Sequence, residues 1–330
     1  MEIVIVGHGL AGAVLSQTFL EKGAQVTVLE ANLPNSASQV SAGLINPLIG
    51  PKLNIPLGFH DCMVENQKFF HKLEKKVGQT FLEPIELLRV FSSKSQLNRW
   101  QSLASPYQLG LLNDSDGREM GIDCPFGLGK TSAWFLHSEK FIEYSRHTHQ
   151  SNNSYQEIAF FPEHWEGYPV VFCDGFRAFQ NPWFKTLPFA PAQGEVIKIE
   201  SHCKYNISNG TWHLRDRLSG TAKIGSTWKH QNIEDGPSIH ARLEILKKLT
   251  FLPELNERKV LEHNAGVRSG TRDRHPILGR HPENANYYIF NGFGSRGCTT
   301  IAKSAREFVD FIMDGTPLPN HKNLLRFSKS

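Results

Sequence analysis

A glycine-rich turn between a strand and a helix stands at the start of this chain. Residues 2–30 read EIVIVGHGLAGAVLSQTFLEKGAQVTVLE, which is an apolar strand, a Gly7-x-Gly9-x-x-Gly12 turn, an amphipathic helix and a second strand ending at Glu30. In such a unit Gly7 permits a sharp turn, Gly9 lets the backbone approach a pyrophosphate, and Gly12 lets the helix lie close to the strand. The unpaired N–H groups and the dipole of the helix N-terminus favour phosphate. The segment therefore predicts a βαβ unit with a dinucleotide site.

The residues around the turn strengthen this prediction, because a glycine-rich turn by itself is weak evidence. The run 3–6 is apolar, as a buried parallel strand requires, and Ala11, Leu15 and Phe19 recur every four residues along the helix. Glu30 is placed to accept hydrogen bonds from a ribose diol, and its charge would repel a 2′-phosphate. NADP is therefore disfavoured.

Length and charge set the class of protein. At 330 residues the chain is long enough for two domains, and its net charge of +4 suits an anionic cofactor but does not by itself indicate nucleic acid. No run of residues is apolar over the length of a membrane span, and no export segment is recognisable. We therefore expect no membrane association and a cytoplasmic location.

The cysteines and histidines show no spacing typical of a metal centre. Five cysteines without a CxxC pair favour free thiols in a reducing compartment, and they are Cys62, Cys124, Cys173, Cys203 and Cys298. The 15 histidines are scattered without an HExxH motif. We expect no metal ion.

The alternation of patterns predicts that the chain crosses between two domains. The fold class expected is α/β, with a Rossmann-type nucleotide-binding domain and a second, mostly antiparallel α+β substrate domain. We assign 1–84, 138–196 and 258–330 to the first domain and 85–137 and 197–257 to the second. VVFCDG at 170–175 is typical of a buried parallel strand with a glycine exit.

Local patterns predict several further elements. The apolar spacing from Phe59 to Val77 predicts a helix ending near Gly78. We interpret 132–149 as helical, 147–154 as a solvated linker, and 239–249 as a helix with an apolar face formed by Ile239, Leu243, Leu246 and Leu249. A final helix carries Ile301, Ala305, Phe308 and Ile312 and is closed by Gly315.

Four segments in this order resemble the D-amino-acid oxidase and glycine oxidase family of FAD-dependent enzymes over nearly the full length. They are GHGLAG with Glu30; ASQVSAGLINP; VVFCDG followed by PFAPAQGEVI; and AGVRSGTRDRHPILGRHPENANYYIFNGFGSRG. The resemblance implies FAD rather than NAD, bound from the glycine turn to the domain boundary. It also implies oxidation of an amine or amino acid.

The same resemblance assigns cofactor contacts along the chain. The residues expected to contact FAD are Gly7, Gly9, Leu10, Ala11, Gly12, Glu30, Ala31, Ser38, Ser41, Gly43, Leu44, Gly294, Ser295, Arg296 and Gly297. The stretch 294–297 precedes the final helix, so its N–H groups and the helix dipole can stabilise negative charge on the reduced flavin. The alternative interpretation of GFGSRG is a simple helix-capping turn with Ser295 near the cap.

Arg268 matches the family's arginine that holds a substrate carboxylate. A guanidinium can bind a carboxylate through two parallel hydrogen bonds and so fix the α-carbon over flavin N5. The alternative is a structural arginine, since Arg272, Arg274 and Arg280 lie nearby in the sequence. Ser269 departs from the family, in which proline usually follows this arginine.

Two further features of the resemblance bear on cofactor and substrate. Relatives with covalent flavin carry a cysteine in the stretch corresponding to 268–279, and this chain has none there, so the resemblance implies non-covalent FAD. GFGSRG is similar to the oxidase domain of the bacterial wobble-uridine tRNA-modifying enzyme (MnmC type). The substrate is therefore open.

The function expected from the resemblance is hydride transfer from the α-carbon of an amine or amino acid, such as glycine or an N-substituted glycine, to flavin N5. The electron acceptor would be oxygen or another oxidant. One alternative is oxidation of a carboxymethylaminomethyl uridine in tRNA, which would make RNA a partner. Another is a subunit that holds FAD without catalysing a reaction.

Overall fold

Two β-sheets organise the chain. The computed structural model describes residues 1–103, 105–216, 219–253 and 259–328. In these ranges the strands are β1 (Glu2–Val6), β2 (Gln25–Leu29), β3 (Leu44–Ile45), β4 (Leu82–Val90), β5 (Gln108–Leu112), β6 (Leu128–Leu136), β7 (Tyr155–Gln156), β8 (Val170–Phe172), β9 (Ala192–Glu200), β10 (Ile207–Ser208), β11 (Trp212–Asp216), β12 (Thr221–Gly225), β13 (Val260–Arg268), β14 (Ile277–Arg280) and β15 (Tyr287–Asn291).

The first sheet has the order β14-β15-β8-β1-β2-β7. Its central strands β15, β8, β1 and β2 run parallel, and β14 joins the edge antiparallel. The second sheet has the order β13-β9-β12-β11-β10-β4-β6-β3, with β5 paired to β6, and all of its pairs are antiparallel except β10 with β4. A parallel nucleotide-binding sheet joined to a mostly antiparallel one confirms the predicted fold class.

Helices cover the first sheet on one face. The helices are α1 (Leu10–Glu21), α2 (Ala37–Val40), α3 (Phe59–Val77), α4 (Lys94–Ser102), α5 (Asp114–Glu119), α6 (Ser138–Ser151), α7 (Ile239–Lys247) and α8 (Gly297–Asp314). Helices α1, α3, α6 and α8 bury a common apolar core against β1 and β2. No helix in the described ranges combines the length and the apolar character of a bilayer-spanning segment.

Several predicted elements are confirmed by the structure. Helix α3 begins at Phe59 and ends at Gly78, whose φ of 70° and N–H bond to the Glu74 carbonyl close the last turn. Helix α8 ends in the same way at Gly315. The stretch VVFCDG contains β8, which is fully buried as predicted.

Three predictions along the chain are wrong. Residues 132–136 belong to strand β6, so the helix predicted from 132 starts only at Ser138. The segment predicted as a linker contains the end of α6, and His149 there is fully buried, with a hydrogen bond to Ser154. Polar residues misled the prediction, because α1 and β7 cover this end of α6.

The third error concerns the apolar face of α7. Ile239 is 71% and Leu243 50% exposed, whereas Ala241 and Ile245 are buried. Of the four apolar residues predicted, Ile239 and Leu243 face solvent, whereas Leu249 is buried in the core of the second sheet and Leu246 packs against it. The helix itself is confirmed over Ile239–Lys247.

The five-segment domain division stays a prediction, and sheet membership shows where the strands fall relative to it. Strand β9 begins at Ala192, before the predicted boundary at 197, and β4 begins at Leu82, before the boundary at 85. Strand β13 pairs with β9 in the second sheet, although the segment 258–330 was assigned to the first domain.

A carboxylate ties together the carboxyl ends of β8 and β15. The oxygens of Asp174 accept hydrogen bonds from the side-chain amides of Asn291 and Asn181, each at 2.8 Å. Asn291 also donates to the Gly175 carbonyl at 2.9 Å. Burial raises the pKa of Asp174 from 3.8 to about 6, against the effect of these amide donors.

The raised pKa of Asp174 predicts that ionisation of this side chain destabilises the folded protein. Between pH 4 and 6 the folded chain binds more protons at Asp174 than the unfolded chain, so the free energy of unfolding falls as the pH rises through this range. Asp174→Asn removes that loss. We expect its melting temperature relative to the parent's to rise from pH 4 to pH 8, by about 1–2 °C per kcal/mol regained. A cost independent of pH is superimposed on this, because the amide nitrogen of asparagine cannot accept the hydrogen bond from Asn181 or Asn291.

Asp273→Asn is the control with the opposite sign. Burial alone would raise the pKa of Asp273. Hydrogen bonds from Arg326 and the His275 N–H outweigh this effect and lower the pKa. Its replacement should therefore reduce the melting temperature at pH 8. Thermal denaturation of both variants from pH 4 to 8 measures the effect, and a parallel pH dependence of Asp174→Asn and parent would contradict it.

Candidate active site

A cleft of about 380 Å³ lies where the carboxyl edge of the first sheet meets the second sheet. This volume is in the range of small-molecule sites, and the position is the switch point between β1 and β8, where open α/β sheets bind ligands. Of the residues predicted from the sequence, those lining the cleft are Gly7, Gly9, Leu10, Ala11, Glu30, Ala31, Ser38, Ser41, Gly43, Leu44, Arg268, Gly294, Ser295 and Gly297. Gly12 and Arg296 do not line it.

The glycine turn brings three backbone segments into contact. Gly7 has φ 96°, and a Cβ there would lie 2.7 Å from the Cys173 carbonyl oxygen at the end of β8. A Cβ on Gly12 would overlap the Gly7 carbonyl. Gly12 therefore acts behind the cleft, where it allows α1 to approach β1, as the sequence predicted.

The N-terminus of α1 opens into the cleft. The Leu10 N–H donates to the Ser38 hydroxyl at 2.9 Å. Ala11 holds the next helical position, whose N–H has no acceptor within the helix. A Cβ on Gly9 would lie 3.0 Å from the Ser38 hydroxyl oxygen. Backbone donors and a positive helix end thus lie where an anionic group fits.

Glu30 follows the next strand along this edge. Its carboxylate accepts hydrogen bonds from the His8 N–H at 2.5 Å and the Asn32 N–H at 2.8 Å. A carboxylate has about four acceptor positions, so Glu30 can accept about two further hydrogen bonds.

The loop after α2 forms another wall. Gly43 has φ 72°, and a Cβ there would overlap the Leu136 carbonyl oxygen. The Gly43 N–H donates to the Ser41 hydroxyl at 3.2 Å, and this hydroxyl lies 3.8 Å from the thiol of Cys298 in the first turn of α8. The loop therefore connects the second sheet to the N-terminus of α8 beside the cleft.

The residues of the stretch 294–297 do not all face the cleft. The Gly294 N–H donates to the Ser269 carbonyl at 2.9 Å, which fastens this turn to the residue after β13. The guanidinium of Arg296 instead donates to the Arg274 carbonyl, away from the cleft. Arg296 caps α8 with its backbone, so its predicted contact with a flavin stays a prediction that this position does not support.

Arg268 ends β13 inside the cleft. Its guanidinium donates to the Ser226 hydroxyl at 2.8 Å and to the Thr227 carbonyl at 3.4 Å, and lies 4.7 Å from the centre of the Trp228 ring. Burial lowers the pKa of Arg268 to about 10, which leaves it charged at neutral pH.

Arg268 differs from the other cation of the cleft in its partners. Arg177 lies 3.6 Å from the carboxylate of Glu234. The ion pairs formed within the described ranges do not include Arg268. A desolvated cation without an anionic partner is costly, so this position is suited to an anionic ligand.

The neighbouring arginines are placed differently. Arg280 donates to the Ala285 carbonyl at 2.6 Å and lies over the Tyr288 ring. Arg272, Arg274 and Arg280 are absent from the residues lining the cleft. Of the four arginines considered from the sequence, the structure brings Arg268 alone to the cleft.

Sequence reasoning assigned no role to several residues of the cleft. They include Asp174, Arg177, Gly194, Trp212, Ser226 and Cys298. Asp174 and Gly194 lay inside segments that carried the resemblance, which was the available signal. Arg177 and Cys298 follow such segments within a few residues. Trp212 and Ser226 reach the cleft through the pairing of β11 and β12 in the second sheet, which the sequence does not reveal.

Comparisons with known proteins agree with this geometry. The family model described as FAD dependent oxidoreductase (DAO) matches residues 2–151 and 140–311. Glycine oxidase of Bacillus subtilis (strain 168) is 27% identical over 130 residues, covering 38% of this chain and 35% of that protein. The bifunctional tRNA 5-methylaminomethyl-2-thiouridine biosynthesis protein MnmC of Shewanella amazonensis is 22% identical over an alignment of 400 residues, covering 96% of this chain and 57% of that protein.

Solved structures share the fold over nearly the full length. Glycine oxidase from Bacillus cereus ATCC 14579 superposes with a TM-score of 0.78 at 19% identity, covering 97% of this chain and 96% of that one. Iminodiacetate oxidase from Chelativorans sp. BNC1 gives 0.77 at 17% identity, covering 97% and 98%. The chain spans about a third of the glycine oxidase and somewhat over half of the MnmC protein in these sequence matches. With the family model covering most of its length, the chain belongs to the DAO family of FAD-dependent oxidoreductases.

Proposed function

We propose that the chain oxidises a small amine or amino acid that carries a carboxylate, such as glycine or an N-substituted glycine, by hydride transfer to flavin N5. The observation that carries this proposal is the presence of Arg268, a desolvated cation without a carboxylate partner among the described residues, in the same cleft as the glycine turn. Glycine oxidase and iminodiacetate oxidase, by their names, act on compounds of this class.

The residues present fit FAD. The backbone at Gly7 and Gly9 lines the cleft without side chains, the α1 N-terminus lies beside it with a positive dipole end, and Glu30 offers open acceptor positions. When bound, FAD supplies an acceptor for a hydride. The residues that would hold it are those of the glycine turn, Glu30, Ser38 and Ser41, together with Gly294, Ser295 and Gly297.

Arg268 would orient the substrate. Of its five N–H groups, two bind Ser226 and Thr227, and three stay available for a carboxylate. Its desolvation strengthens the attraction to an anion. Selection of the neutral amine would let the hydride leave without a strong general base.

Non-covalent attachment of FAD is part of the proposal. Cys173 and Cys298 line the cleft. Burial raises the pKa of both thiols, so both stay protonated and weakly nucleophilic at neutral pH. This supports a cofactor that heat or acid releases.

The electron acceptor and the cellular location are also part of the proposal. Oxygen or another oxidant would reoxidise the flavin. Cys62, Cys124, Cys173 and Cys298 are free thiols, as a reducing cytoplasm would keep them.

A second candidate is oxidation of a carboxymethylaminomethyl uridine in tRNA. The alignment to the MnmC protein, which covers 96% of this chain, favours it. The substituent of that nucleoside ends in a carboxylate beside a secondary amine, so Arg268 would serve both candidates. An RNA gel-shift titration at several salt concentrations separates them, since phosphate contacts give a steep salt dependence.

The first prediction here concerns cofactor binding. Gly9→Val places side-chain atoms against Ser38 at the α1 N-terminus. A side chain at Gly9 would also stand where the backbone must approach a pyrophosphate, so FAD should bind about tenfold more weakly or worse, which corresponds to about 1.4 kcal/mol. Gly110→Val is the matched control, because a Cβ there meets nothing within 4 Å.

Absorbance of the purified variants and FAD titration of stripped protein measure this effect. The parent should be yellow and should not bind NADP. Equal FAD affinity of Gly9→Val and parent would remove the glycine turn from the cofactor site.

The second prediction concerns substrate binding. Charge-assisted hydrogen bonds contribute about 1.5–3 kcal/mol each, so loss of a bidentate pair should cost on the order of 3 kcal/mol. Arg268→Leu should therefore lower the second-order rate of flavin reduction about a hundredfold while FAD stays bound. Arg268→Lys should recover part of the rate, because an ammonium is a point charge without the planar fork.

Stopped-flow reduction with N-substituted glycines and D-amino acids is the measurement. Alanine variants of Arg272, Arg274 and Arg280 are controls and should stay within a few fold of the parent. Unchanged kinetics of Arg268→Leu would show that this residue does not bind the substrate.

A further inference from the structure

Two glycines face each other on the cleft side of the second sheet. Gly194 of β9 pairs directly with Gly266 of β13, so both positions present the same face. A Cβ on Gly266 would lie 3.1 Å from the backbone of Ala37 in α2. The space above Gly266 is therefore occupied by a helix.

The guanidinium of Arg268 occupies the space above Gly194. Arg268 pairs with Ala192, and its side chain extends diagonally toward the position two residues along β9. A Cβ on Gly194 would overlap the Cζ and both terminal nitrogens of this guanidinium. Only a residue without a side chain lets the guanidinium rest there.

Trp228 stacks on the guanidinium of Arg268. The Cζ of Arg268 lies 4.7 Å from the ring centre, and the indole is itself held by a hydrogen bond of 2.8 Å from its Nε1 to His230. The other ring nitrogen of His230 lies 3.2 Å from the Pro191 carbonyl, close to the start of β9. Trp228 stays 55% exposed, so a role in filling the core does not explain its position.

These contacts restrict the arginine in different directions. Gly194 and Trp228 limit the faces of the guanidinium plane, while Ser226 and Thr227 hold its terminal nitrogens. An arginine side chain has several rotatable bonds, and holding it in one geometry before the ligand arrives favours binding.

We propose that Gly194 and Trp228 are positioning residues that hold the Arg268 guanidinium ready to bind a carboxylate edge-on. This inference rests on the proposed function, in which Arg268 is the carboxylate anchor. Neither residue needs to contact the substrate. Each acts through the orientation of Arg268.

Glycolate is a suitable probe, because it carries the carboxylate without an amine to oxidise. Its binding to the FAD-loaded protein is read from the change in flavin absorbance, with glycolamide as the uncharged counterpart. The affinity ratio of the two ligands measures carboxylate recognition independently of turnover.

We expect Gly194→Ala to weaken glycolate binding by about tenfold or more, with little change for glycolamide. An added Cβ would displace only the end of the flexible Arg268 side chain, so the variant should fold and retain FAD. Gly110→Ala is the matched control on strand β5, where an added Cβ meets nothing within 4 Å.

Trp228 supplies an independent test that does not depend on the stability of the glycine variant. Trp228→Ala should weaken glycolate binding by about three- to tenfold, and Trp228→Phe should restore most of it, because phenylalanine keeps a π-face for the cation. Melting temperatures and FAD content should match the parent in both variants.

Arg268→Leu separates this inference from the proposed function. If Arg268→Leu loses glycolate selectivity but Gly194→Ala and Trp228→Ala keep it, the positioning role is wrong and the proposed function stands. If Arg268→Leu keeps the parental selectivity, or the parent does not distinguish the two ligands, the carboxylate anchor is wrong and the positioning role fails with it.

Discussion

Backbone-to-backbone contact at the glycine turn is the constraint on which the cleft depends. Gly12 lies so close to the Gly7 carbonyl that a methyl group would not fit, and a Cβ on Gly7 would lie only 2.7 Å from the Cys173 carbonyl oxygen. These contacts bring α1, β1 and β8 together at one edge of the first sheet. The donors at the α1 N-terminus and the acceptors of Glu30 and Asp174 lie at this edge because the three backbones meet there.

In the second sheet, too, glycines allow close approach to the backbone, but the approaching groups are a helix and large side chains. Where Gly266 and Gly194 pair, the sheet surface has no side chains, so α2 covers one position and the Arg268 guanidinium the other. On the next strand Gly225 leaves room for the ring of Trp212, which also lines the cleft. A sheet surface without side chains leaves room for large planar groups to lie flat against it, and this surface lines the same cleft as the glycine turn of the first sheet.

The sequence predicted the features that depend on neighbouring residues. The glycine turn, Glu30 and the closure of α3 at Gly78 each depend on a short stretch of chain, and the structure has them as predicted for the fold. Arg268 was identified through the family resemblance. The partners of Arg268 depend on the register of β9 and β13, whose paired residues are far apart in the sequence. His149 was missed for a similar reason, because distant elements bury a polar helix end.

The charged residues of the cleft differ between the end at the first sheet and the end at the second sheet. Glu30 and Asp174 lie along the first sheet, and burial raises the pKa of Asp174 to about 6, so Asp174 loses its negative charge as the pH falls below that value. Arg177 has Glu234 as a counter-charge. Arg268, on the second sheet, keeps its charge, since its pKa of about 10 is well above neutrality. The least compensated positive charge of the cleft therefore lies at the second sheet, where it would attract the carboxylate of the proposed substrate.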